Sequence, residues 1–85
     1  MQIRAVKNGV LFSVNSTFLA LKPHSKYLAV EFACGEEHNE FPIERCVQVS
    51  KTEVAHFLRL ESISEIDNQL IGWLQEAYDF NCQKK

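Results

Sequence analysis

The ratio of strand to helix constrains this chain more than any other feature. Five or six short strand-like runs occupy residues 2–60, and one amphipathic segment follows over about 63–81. A helix buries one apolar stripe, so a single helix can cover only one face of a sheet. We therefore expect residues 1–85 to form a single α+β domain. It would contain an antiparallel meander sheet of five or six strands, with the C-terminal amphipathic helix packed on one face.

Turn residues separate the predicted strands. Asn8-Gly9 stands between two apolar runs, and both residues tolerate the positive φ of a tight two-residue hairpin turn. Pro23 is expected to end the third strand, because proline has no N–H to donate to a ladder. The polar, acidic stretch between Cys34 and Phe41 is expected to be the longest loop.

The helix is marked by a cap and by its periodicity. Ser62 and Glu65 fit a capping box, with Ser62 as the N-cap. Lys84 and Lys85 suit the carbonyl end of the helix dipole. Apolar residues that recur at spacings of three and four form a stripe expected to lie on the sheet: Ile66, Leu70, Trp73, Leu74, Ala77 and Tyr78.

Several strands are apolar on both faces. Leu28, Val30 and Phe32 share one face by the two-residue period, whereas Tyr27 and Ala29 lie on the other. An uncovered apolar face is unusual for a small monomer, so a second copy of the chain is expected to cover it. A register error of one residue would invert these faces. The residues expected at this contact are Phe18, Ala20, Tyr27 and Ala29.

Charge and cysteine content restrict the partners and the compartment. Nine basic and eleven acidic residues give a net charge of −2, so no overall field attracts nucleic acid. Three cysteines cannot all pair within one chain, which indicates reduced thiols. There is neither an apolar run long enough to span a membrane nor a signal-peptide pattern, so we expect a cytoplasmic protein without membrane contact.

No catalytic, cofactor or metal signature is complete. His56 lies mid-strand on an apolar stripe without a nucleophile nearby in sequence, and packing is its more common role. Cys34, His38 and Cys46 do not match the paired spacing of zinc ligands. We therefore expect no catalytic residue, no cofactor and no metal.

The strand and helix sequences also resemble a known family. The segments Val47-Gln48-Val49-Ser50, Val54-Ala55-His56-Phe57-Leu58-Arg59-Leu60 and Gly72-Trp73-Leu74 are similar to the bacterial domain-of-unknown-function family 5655. The resemblance covers most of the chain and supplies no established catalytic residue. Longer relatives carry helical sequence before the first strand, which is absent here. A surface covered by that segment in them would be bare here or covered by a partner.

Three hypotheses about function follow. The leading one is a non-enzymatic interaction module that forms a homodimer, with another protein partner possible. The second is a nucleic-acid-binding accessory domain, in which basic residues surround Phe18 and Tyr27 on a sheet platform. The third is a small-ligand-binding or enzyme fragment centred on a pocket with His56 and Arg59.

Overall fold

The computed structural model of the chain describes residues 1–83; Lys84 and Lys85, expected at the carbonyl end of the helix, lie outside them. Six strands and one α-helix form an α+β fold, as predicted. The elements are β1 (Gln2–Val6), β2 (Gly9–Ser13), β3 (Thr17–Pro23), β4 (Leu28–Cys34), β5 (Ile43–Gln48), β6 (Val54–Leu60), a 3-10 turn (Ile63–Glu65) and α1 (Asn68–Cys82).

The six strands form one antiparallel sheet in the order β1-β2-β3-β4-β6-β5. The first four strands follow the predicted meander. The last two do not, because β6 pairs with β4 while β5 lies at the sheet edge. Residues 35–42 connect β4 to β5 and are long enough to carry the chain past the position that β6 fills.

The β1–β2 hairpin forms, but its turn differs from the predicted one. Lys7 and Asn8 are the turn residues, and Gly9 already belongs to β2. No residue in 1–83 has a positive φ, so the prediction of a left-handed Asn8-Gly9 turn is wrong. A Cβ at Gly9 would overlap the carbonyl oxygen of Leu21, so the glycine permits the close approach of β2 and β3.

The core lies between the sheet and α1. Leu28, Val30 and Phe32 share one face, as predicted, and this is the face that α1 covers through its contacts with β3 and β4. Phe32 is 1% exposed and its ring stacks 6.1 Å from that of Trp73. From the predicted helix stripe, the fully buried members are Leu70, Trp73 and Ala77.

The α-helix begins later than predicted. Asp67 is its N-cap, and a side-chain oxygen of Asp67 accepts the backbone N–H of Leu70 at 2.9 Å. Ser62 and Glu65 instead close the preceding 3-10 turn, where the Glu65 carboxylate accepts the N–H of Ser62 at 3.0 Å. Ile66 has extended backbone angles that separate the two segments, so it does not belong to the helical stripe.

Candidate functional site

One face of the sheet has no layer packed on it by α1, and we call it the open face. Residues directly opposite each other in an antiparallel sheet point to the same side, so the strand register defines this face. One row crosses all six strands, and two shorter rows flank it. The open face consists of Arg4, Leu11, Ala20, Lys22, Ala29, Glu31, Ala33, Arg45, Val47, Ala55, Phe57 and Arg59.

A shallow depression of about 250 Å³ lies near the centre of the open face. Its lining includes three residues predicted at the dimer contact, Ala20, Tyr27 and Ala29, and it also includes Arg59. Small alanine side chains form the floor, and longer side chains form the walls. The structure thus brings together four residues that sequence reasoning assigned to two different sites.

Arginine side chains on the open face are held in place by aromatic rings and by carboxylates. The guanidinium of Arg59 lies 5.1 Å from the centre of the Tyr27 ring, and its Nε donates to both carboxylate oxygens of Glu44 at 3.0 and 3.1 Å. These hydrogen bonds raise the pKa of Arg59. Arg45 lies over the ring of Phe57 at 4.5 Å. Such contacts orient the cations along the surface.

Phe18 lies on the other side of the sheet. Phe12 pairs with Leu19 and Ser13 pairs with Thr17, so Phe18 is an extra residue of β3 without a partner opposite. This bulge breaks the two-residue alternation on which the grouping of Phe18 with Ala20 depended. The Phe18 ring is 5% exposed and meets the edge of Tyr78 of α1 at 5.5 Å, within the core.

His56 and Arg59 do not share a pocket. They lie three residues apart on β6, so they point to opposite faces. His56 is 0% exposed and its ring stacks on Phe32 at 4.6 Å. Its Nε2 accepts the backbone N–H of His38 at 3.0 Å, which places the ring proton on Nδ1. Burial lowers the pKa of His56 and favours this neutral form, and Nδ1 is buried without a hydrogen-bond partner.

Three potential metal ligands meet beside His56, and we call them the Cys34–His38–Glu76 cluster. Cys34 ends β4, His38 lies in the following loop and Glu76 lies on α1, and their ligand atoms are all within 4.8 Å of one another. Nε2 of His38 lies 2.9 Å from a carboxylate oxygen of Glu76. The Cys34 thiol donates to the Glu36 carbonyl at 3.2 Å, and burial raises the pKa of Cys34 to about 12.

Sequence reasoning weighed two members of this cluster and missed the third. Cys34 and His38 were considered with Cys46, whose sulfur donates to the His38 carbonyl at 3.0 Å. Glu76 was assigned to the solvent-facing side of the helix, and it is 38 positions from His38. The available signal was its place three residues after Trp73, which puts it beside the buried stripe.

Comparison with known proteins identifies the family. Residues 1–81 match the family described as a domain of unknown function, DUF5655. The chain belongs to the DUF5655 family. No curated protein and no solved structure gives a significant match. In residues 1–83 of this DUF5655 chain, no helix is both long and apolar enough to cross a membrane.

Proposed function

We propose that this DUF5655 chain is a non-enzymatic, cytoplasmic protein-interaction module that forms a homodimer through its open face. The observation that carries the proposal is the asymmetry of the sheet: α1 packs on one face, and within residues 1–83 it is the one α-helix present. The other face presents alanines together with Leu11, Tyr27 and Phe57. A sheet face with this composition is stabilised by a second layer.

The charges of the open face favour a second copy of the chain as its partner. In a twofold-symmetric dimer the same patch meets itself, so it must contain its own complementary charges. The open face has Lys22 and Arg45 on neighbouring rows and Glu31 near its centre. It also has the ion pair between Arg59 and Glu44, with a closest N–O distance of 3.0 Å. Rotation about an axis near the centre can bring cations of one copy to carboxylates of the other.

The exposed area of the chain agrees with a missing partner. A compact monomer of 9.8 kDa is expected to expose about 5,200 Å². This chain exposes 5836 Å². The excess of about 600 Å² approaches the roughly 800 Å² that each partner loses in a standard interface.

The non-enzymatic part of the proposal is supported by the state of the reactive groups. A cysteine acts as a nucleophile in its thiolate form, whereas burial keeps the Cys34 thiol protonated. His56 is closed off from solvent between Phe32 and the rest of the core. A general base must reach the proton that it abstracts from a substrate, and His56 in this position offers no such access.

The cytoplasmic part is supported by the cysteines. Cys34, Cys46 and Cys82 are all free thiols, one buried, one half-buried and one exposed. Free thiols persist in a reducing compartment, where disulfides are rare.

The test is the solution mass of the purified chain over a concentration series, by light scattering after size exclusion. We expect a species of twice the 9.8 kDa chain mass that persists at low micromolar concentration. Ala29→Glu is the disrupting variant. The flanking Lys22 and Arg59 can accept the new charge in a folded monomer, while its bulk separates two facing sheets. Tyr27→Glu is a second variant of the same surface.

Ile71→Glu provides the matched control, because Ile71 is exposed on α1, away from the open face. This variant should keep the wild-type mass while Ala29→Glu becomes monomeric, with unchanged circular dichroism in both. A monomeric wild-type chain, or an Ala29→Glu variant that remains a dimer, would overturn the proposal.

The same protein distinguishes the nucleic-acid alternative. A single-strand platform needs cations that are free to meet phosphates, and its affinity falls steeply as salt rises. On the open face Arg59 is paired with Glu44, which favours a protein partner. Salt-sensitive retention of a monomeric chain on a mixed-sequence oligonucleotide column would replace the dimer proposal with this alternative.

A further inference from the structure

A second feature, independent of the open face, is the convergence of three side chains on the side of the sheet that α1 covers. The members of the Cys34–His38–Glu76 cluster come from the end of β4, from the loop that follows it and from the middle of α1. They are distant in sequence and offer a sulfur, an imidazole nitrogen and a carboxylate oxygen. From this arrangement we propose that Cys34, His38 and Glu76 together bind one Zn²⁺ ion.

The distances fit the ion. Zinc binds sulfur at about 2.3 Å and nitrogen or oxygen at about 2.0–2.2 Å in a tetrahedron, so neighbouring ligand atoms lie roughly 3.3–3.6 Å apart. The ligand atoms of the cluster lie within 4.8 Å of one another, and the closest pair, His38 and Glu76, is at 2.9 Å. Side-chain adjustments of about 1 Å are enough to reach tetrahedral spacing.

The chemistry of the donors selects the class of metal. Thiolate and imidazole ligands favour zinc and its neighbours over magnesium or calcium, which prefer oxygen. Three protein ligands leave a fourth position for water. A surface groove of about 440 Å³, lined by Gly35, Glu36 and Glu76 among others, borders the cluster and gives the ion a route from solvent.

The backbone around His38 is held in place before any ion arrives. Its N–H donates to Nε2 of the fully buried His56, and its carbonyl accepts the thiol of Cys46. The His38 ring also lies 5.9 Å from that of Trp73, so one side of the imidazole is shielded by the core. His56 thus acts as a positioning residue for the ligand-bearing loop, which gives a mid-strand buried histidine a defined task.

Binding exchanges existing interactions for metal bonds. The Cys34 thiol loses its proton and its hydrogen bond to the Glu36 carbonyl, and the sulfur becomes a thiolate ligand. The hydrogen bond between His38 and Glu76 gives way to one metal–nitrogen and one metal–oxygen bond. The ion then ties the loop of residues 35–42 to α1, which adds its binding free energy to the stability of the fold.

The test uses the full chain, freed of metal by a chelator and titrated with Co²⁺ as a spectroscopic probe for the zinc site. We expect saturation at one ion per chain, tetrahedral visible bands and a thiolate-to-cobalt charge-transfer band that Zn²⁺ displaces. Cys34→Ser and Glu76→Gln should each weaken binding by more than about 100-fold, because even changes outside the ligand set typically cost 10–100-fold. Only Cys34→Ser should abolish the charge-transfer band.

Cys82→Ser is the matched control, since Cys82 is an exposed cysteine outside the cluster. It should bind Co²⁺ as the wild-type chain does. Glu76→Gln keeps the test decisive if Cys34→Ser fails to fold, because Glu76 is part-exposed on α1, outside the apolar core. The proposal is overturned if the wild-type chain shows no saturable binding at micromolar Co²⁺, or if Glu76→Gln binds as tightly as the control. Neither result would alter the mass measurements that test the dimer.

Discussion

The covered and open faces of the sheet are built from the same strands by opposite means. On the covered face, large apolar side chains such as Phe32 and Leu58 are almost wholly excluded from water and pack against α1. On the open face, small alanines alternate with long polar side chains whose charged ends are fixed by Tyr27, Phe57 and Glu44. The first pattern supplies stability, since apolar burial is the main favourable term in folding.

The second pattern is suited to recognition. Orienting arginines on aromatic rings limits the side-chain entropy that is lost when a partner binds. Arginine and aromatic residues are also the residue types enriched at protein interfaces. The comparison teaches that the two-residue alternation of each strand separates folding from binding within one layer of residues, with the helix marking which face does which.

The largest expected effect tests this division with one substitution made on each face. Phe32→Ala removes a ring that is 1% exposed and stacked between His56 and Trp73, and it should lower the free energy of unfolding by about 3–5 kcal/mol. Phe57→Ala, on the neighbouring strand but on the open face, should cost about 1 kcal/mol because the ring is only half-buried. Urea denaturation at protein concentrations below dimer dissociation gives both values.

Equal losses in these two variants would contradict the division between the faces. A loss for Phe57→Ala that grows with protein concentration would sharpen it. That result would place the ring in the dimer contact and attribute its contribution to association rather than to the monomer fold.

A smaller effect tests how the helix is attached to the covered face. Asn81 is 0% exposed, and its amide N–H groups donate to the carbonyls of Ala33 at 3.0 Å and Ala77 at 2.8 Å. Its side-chain oxygen accepts the Ser16 hydroxyl at 2.6 Å. Asn81→Ala leaves these buried partners without hydrogen bonds and should cost about 2–3 kcal/mol, or roughly 10–20 °C in melting temperature.

Ser16→Ala is the control for this link, because it removes one hydrogen bond and leaves the amide contacts of Asn81 in place. Thermal denaturation followed by circular dichroism should give it a loss of about 1 kcal/mol. If Asn81→Ala were no worse than Ser16→Ala, the attachment of α1 would depend on apolar packing alone.

Much of the fold could be predicted because its signals are local. The strand positions follow from apolar runs bounded by turn residues, and the buried stripe of Leu70, Trp73 and Ala77 follows from helical spacing. The position of β5 could not be predicted in this way. It depends on which strand of the β5–β6 hairpin pairs with β4, and that choice reflects packing over the whole sheet.

The candidate sites show the same limit. Alternation placed Ala20 and Ala29 on the open face, but it failed at Phe18, where a bulge inserts one residue into β3. A bulge leaves no clear mark in an apolar run of this kind. The meeting of His38 and Glu76 was equally hidden, because nothing in one sequence relates a loop to a helix 38 positions later.

The smallest expected effect concerns the beginning of the helix that covers the sheet. Asp67 accepts the N–H of Leu70, so Asp67→Ala should lower the free energy of unfolding by about 1 kcal/mol through loss of the N-cap. Ser62→Ala should cost a few tenths of a kcal/mol at most, since its side chain contacts only the exposed hydroxyl of Ser64 before α1 begins. Urea midpoints for the two variants provide the measurement. The reverse order would mean that the helix begins at Ser62, as the capping-box pattern alone predicts. It would also extend the cover of the sheet by more than one turn, toward the apolar surface formed by Ile63 and Ile66.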